Sequence, residues 1–104
     1  MAHHMAHHMA QHPNTPPEKL AELAEDEDED VRWYVAGNLK TPPHILTNLS
    51  KDSVPICWMV ARNPNTPPET LISLVQNGIP DIREMALENP NCPIELKVEY
   101  ILSA

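Results

Sequence analysis

Asn63-Pro64-Asn65-Thr66-Pro67-Pro68-Glu69 is the stretch that decides how this chain folds. Altered copies stand at residues 12–18, 38–44 and 89–95. The reference positions Thr15, Thr41, Thr66 and Cys92 follow one another at steps of 26, 25 and 26 residues. Self-similarity at a fixed short period marks a stack of like units, because one such unit cannot bury its apolar face alone. Aligned on the motif, the units are residues 12–37, 38–62, 63–88 and a shortened 89–104.

Each unit follows one plan. A Pro-Pro pair opens a short helix, a polar stretch follows, and a second helix ends at asparagine. Thr15, Thr41 and Thr66 are suited to cap the first helix, and proline is accepted at a first helical position because its missing N–H would be unpaired there. Leu20 and Leu23, Leu46 and Leu49, and Leu71 and Leu74 are three apart, which puts each pair on one helix face. These helices are so short that one of the two per unit is expected to be 3₁₀ in character. The second helix carries Val31, Tyr34 and Val35, then Ile56, Met59 and Val60, then Ile82, Met85 and Ala86, all at the spacing of a buried stripe. Asp30 and Asp81 suit its N-cap.

Asn38, Asn63 and Asn89 end the second helices. Asparagine tolerates the left-handed conformation that closes a helix, and the proline that follows two of the three stops continuation. The asparagines serve either as simple C-caps or also as a column bonding the backbone of the adjacent coil. In the last unit Lys97 replaces a leucine, so a helix using Val98, Ile101 and Leu102 is expected to act as a C-terminal cap. No stretch alternates convincingly, and no β-sheet is predicted. The fold class predicted is an all-α solenoid of about four helical repeats over residues 12–104, preceded by a histidine-rich, tag-like or disordered segment at 1–11.

Bulk composition agrees. The chain has 104 residues, twelve prolines, two glycines and no phenylalanine. Prolines in register with the repeat argue for order and against a flexible linker. A formal net charge of −8 argues against nucleic-acid binding and against anionic membrane surfaces. No apolar run reaches the roughly 20 residues of a membrane span, and the first eleven residues lack the apolar core of a secretory signal. Two cysteines, Cys57 and Cys92, make neither a disulfide framework nor a metal cluster and suit a reduced, cytoplasmic chain.

The segment at 63–71, preceded by Val-Ala-Arg at 60–62 and matched by Asp-Val-Arg at 30–32, resembles the leucine-rich repeat variant family over residues 12 to about 96. That resemblance implies a right-handed superhelix of alternating α and 3₁₀ helices without strands. It brings no catalytic residues. An iron–sulfur domain with clustered cysteines accompanies some members; this chain has no such cluster, and no cofactor is expected.

Three features carry candidate chemistry. His3/His7, His4/His8 and His8/His12 are i, i+4 pairs that could share a metal on a helix. Against a metal site at His3, His4, His7 and His8 stands a tag or an adventitious tail. The run from Glu25 to Asp30 holds six consecutive carboxylates, Asp26 and Asp28 among them. It lacks the loop glycine and spacing of an EF-hand, so a solvated loop competes with a site for a basic partner. Trp33 and Trp58 occupy equivalent positions and lie roughly 160° from the Val31/Val35 stripe at about 100° per residue. They are therefore expected outside the main core as an aromatic column continued by Glu84, or else packed against a neighbouring layer. No serine sits in a nucleophile elbow, and with glycine only at positions 37 and 78 there is no phosphate loop. The expected function is a non-catalytic scaffold for protein–protein interaction, including self-association. The alternative is a metal-binding or metal-responsive protein using its N-terminal histidines.

Overall fold

The computed structural model describes residues 2–103, with side chains from Met5 onward. Among the described residues eight α-helices follow one another: α1 (Ala2–Gln11), α2 (Pro17–Leu23), α3 (Glu29–Gly37), α4 (Pro43–Leu49), α5 (Val54–Arg62), α6 (Pro68–Gln76), α7 (Pro80–Glu88) and α8 (Ile94–Ser103). Among the described residues there is no strand and no 3₁₀ helix, so the expected α/3₁₀ alternation is absent. The short helices are α because each Pro-Pro carbonyl takes a full i+4 bond. Leu20, Leu46 and Leu71 donate to Pro16, Pro42 and Pro67 at 3.0, 3.2 and 3.1 Å.

α1, α3, α5 and α7 pack in a row, each on the next, while α2, α4 and α6 lie against the helix that follows each of them. The molecule measures 50 × 21 × 16 Å. Leu20, Leu46, Leu71, Val31, Val35, Ile56, Val60 and Ile82 are fully buried between these helices. Each large aliphatic side chain so buried contributes about 1.5–3 kcal/mol of transfer free energy.

The motif residues work differently from simple caps. Thr41 and Thr66 do not cap the helix that follows: Pro42 and Pro67 hold the N-cap positions with no side-chain bond. Their hydroxyls donate backwards, to the carbonyls of Val35 and Val60 at 2.6 Å, and so close the preceding helix. Thr15 does the same to Met9. The asparagines are C-caps, but no non-glycine residue described has positive φ. Asn38 and Asn63 are extended, at φ −75° and ψ 126°.

The column of asparagines is present. The Asn38 amide donates to the carbonyls of Ala10 and His12 at 2.8 and 3.1 Å. Asn63 donates to Ala36 and Asn38, and Asn89 to Ala61 and Asn63, all between 2.8 and 3.0 Å. Each Oδ1 in turn accepts the N–H two residues on, from Lys40, Asn65 and Asn91. His12, which stands where the others have asparagine, accepts the Asn14 N–H on Nδ1 at 3.1 Å. Every polar atom of these buried side chains is thus satisfied; a lone unpaired one would cost about 1–3 kcal/mol.

Residues 2–11, expected to be tag-like or disordered, form a helix packed on α3, with Ala10 fully buried and Ala6 nearly so. Small alanines every four residues let α1 lie close to its neighbour. At the other end, Val98, Ile101 and Leu102 do not turn to the core: they are 47%, 72% and 80% exposed. α8 instead rests on its partly buried Leu96 and Tyr100, because the Pro93 turn sets Lys97 and Tyr100 at the register of the earlier leucines.

Candidate functional site

The acidic run folds as a chain of small turns. The Asp26 carboxylate accepts the Asp28 N–H at 2.9 Å, and the Asp28 carboxylate accepts the Asp30 N–H at 2.9 Å. Asp28, and not Asp30, is therefore the N-cap of α3, and Asp81 likewise lies inside the first turn of α7, whose N-cap is Ile79. Free N–H groups and the helix dipole favour carboxylates at this place.

Arg32 ties the run to the loop after α4. Its Nε and Nη2 donate to the two oxygens of Asp52 at 2.8 and 3.3 Å, and Nη1 donates to the Asp26 carbonyl at 2.8 Å. Burial works to raise the Asp52 carboxyl. The hydrogen bonds from Arg32 and from the Ser53 N–H, with the guanidinium charge, outweigh it and hold Asp52 below the usual carboxylate range. The Ser53 hydroxyl bonds Glu29 across the same junction.

Beside the run lies a hollow of about 380 Å³, lined by Glu29, Asp30, Trp33, Tyr34 and Pro55. Trp33 meets Tyr34 edge to face, at 5.3 Å between centroids and 78° between planes. Both rings are half-buried against the core. Trp58 is also half-buried, but it does not stack on Trp33; the Arg62 guanidinium lies over its ring at 4.8 Å. The equivalent tryptophans thus face different neighbours. The helical wheel placed them opposite the stripe, yet both are partly buried against the core. Asp26 and Asp28 are partly buried and engaged in the turns, so the carboxylates that border the hollow are Glu29 and Asp30.

The histidines divide. His7 turns towards α3, with Nε2 2.9 Å from the Asp28 Oδ2 and its ring 5.7 Å from that of Tyr34. His8 is exposed and meets His12 edge-on at 5.6 Å. The side chains of His3 and His4 lie outside the described residues. The donor atoms of His7, Asp28 and Asp30 lie within 4.8 Å of one another. Sequence reading held the histidines and the acidic run apart, because 21 residues separate His7 from Asp28 and no local pattern joins them.

The thiols are turned inward. Burial pushes the Cys57 thiol up, the Asp52 charge adds to this, and Sγ donates to the Ser50 carbonyl at 3.0 Å. Burial also pushes Cys92 up, with Lys97 opposing it. No described helix is long and apolar enough to cross a membrane.

Compared with models of known protein families, with curated proteins and with solved structures, the chain matches none.

Proposed function

We propose that this chain is a non-catalytic helical-repeat scaffold that binds protein, a solenoid of four units of about 25 residues whose acidic first unit takes a basic segment of its partner. The repeat reading is supported by the asparagine bonds, which recur with the same donors and acceptors in three successive turns. The resemblance to the leucine-rich repeat variant family agrees with the repeat spacing, but not with the helix types, which are all α. The binding reading rests on one observation: the hollow at Glu29, Asp30, Trp33, Tyr34 and Pro55 sets two carboxylates beside two aromatic rings. A lysine or arginine side chain can lie over such rings while its charge meets the carboxylates, a contact worth about 0.5–2 kcal/mol for the cation–π part alone. Raised thiol pKa values make the two cysteines poor nucleophiles, in keeping with a non-catalytic role.

Isothermal titration with an arginine- and lysine-rich peptide, against a glutamate-rich peptide of equal length, tests this. The basic peptide binds, more weakly as salt rises, and Glu29→Gln together with Trp33→Phe weakens it about tenfold. Equal binding of the two peptides, or binding unchanged in the variant, would rule out the hollow as the binding site.

A second reading, self-association, is favoured by α8. Ile94, Val98, Ile101 and Leu102 fall at i, i+4, i+7 and i+8 and are all exposed. Such an apolar stripe suits the same stripe on a second copy. Light scattering across a concentration series checks it: a mass that stays at one chain, 11.7 kDa, at all concentrations removes this reading.

A further inference from the structure

We propose that His7, Asp28 and Asp30 form a site for one divalent transition cation of the zinc class, bridging α1 and α3. The imidazole comes from α1 and the carboxylates from the start of α3, and their donor atoms already lie within 4.8 Å of one another. His7 Nε2 and Asp28 Oδ2 are 2.9 Å apart. Zinc binds imidazole nitrogen and carboxylate oxygen at about 2.0–2.2 Å, which sets ligand atoms of a tetrahedral site roughly 3.3 Å apart. Asp30 is exposed, and its carboxylate is the ligand that would have to close in from the present 4.8 Å limit.

Two further observations support the assignment. The Asp28 carboxylate is oriented by its neighbours, since its Oδ1 accepts the Asp30 N–H at 2.9 Å and its Oδ2 faces the imidazole. The donor set also selects the metal. One imidazole and two carboxylates suit zinc, cobalt or nickel with a water completing the shell, whereas calcium takes six to eight oxygens. A metal held here clasps α1 to α3 and stabilises the folded chain by mass action. This inference does not rest on the scaffold reading.

Calorimetric titration of the full chain with zinc chloride, with calcium chloride as control, tests it. One zinc ion binds per chain and calcium does not. Asp30→Asn, at an exposed position that leaves the helix intact, weakens zinc about tenfold or more, as does His7→Ala. His8→Ala, whose ring points away, binds as the parent does. Saturating zinc raises the melting temperature of the parent but not of His7→Ala. The proposal is overturned by absent zinc binding, by Asp30→Asn binding as the parent does, or by His8→Ala losing as much as His7→Ala, which would mark an adventitious histidine tail.

Discussion

Arg32 and Arg83 hold the same place in their units, one after Asp30-Val31 and the other after Asp81-Ile82, yet their surroundings differ. Arg32 is locked by a two-pronged bond to Asp52 and a third bond to the Asp26 carbonyl. Arg83 lies over the Tyr100 ring at 5.8 Å, facing a helix that buries no residue fully. The contrast extends outward. On the α3 side, α1 covers the core with Ala6 and Ala10 and accepts the Asn38 amide on its Ala10 carbonyl. On the α7 side, α8 leaves Ile94, Val98, Ile101 and Leu102 exposed. Similar local patterns therefore build a tightly cross-braced region and a loosely covered one, according to what the neighbouring helices supply.

The sharpest way to break the contrast is Asn38→Ala. It strands the carbonyls of Ala10 and His12 and the Lys40 N–H, and it should lower stability by about 3 kcal/mol in urea unfolding. Hydrogen exchange should show α1 released first; a loss under about 1 kcal/mol would mean that α1 is held by other contacts.

The ion pair gives a smaller, pH-dependent effect. Asp52 has its folded pKa below the unfolded value. Its stabilisation is therefore present above the ordinary carboxylate pKa and lost as pH falls through the lowered folded value. Asp52→Asn should cost about 1 kcal/mol at pH 7 and progressively less as pH falls below the ordinary carboxylate range, measured against the parent. Arg83→Gln, at the equivalent place, should show no such dependence.

The smallest effect belongs to α8. Leu102→Asp, at a site 80% exposed, should change monomer stability by no more than about 0.5 kcal/mol. A larger loss at high protein concentration only would reveal that the stripe is covered by a second copy.

Much of the fold was legible because the motif is local chemistry repeated. Leu20, Leu46 and Leu71, spaced with the period, are buried as the helical spacing requires. The asparagine column was legible as one of two alternatives, and the choice needed the neighbouring coil to be in place. The role of the threonines was not legible, because a hydroxyl at a helix junction can serve either helix, and only the path of the chain shows that it bonds the carbonyl six residues back. The tryptophans stayed open between two readings for a related reason: a wheel describes one helix, while the exposure of Trp33 and Trp58 depends on the next.

By itself the sequence determined the order of the short helices that follow each Pro-Pro pair and most of their apolar faces, since proline geometry and 3.6-residue periodicity act within a few residues. The tertiary structure alone decided that His7 meets Asp28, that Arg32 reaches Asp52 and that α8 keeps its apolar stripe outside. The two side-chain pairings join residues 20 or more positions apart, and their geometry follows from how neighbouring helices pack.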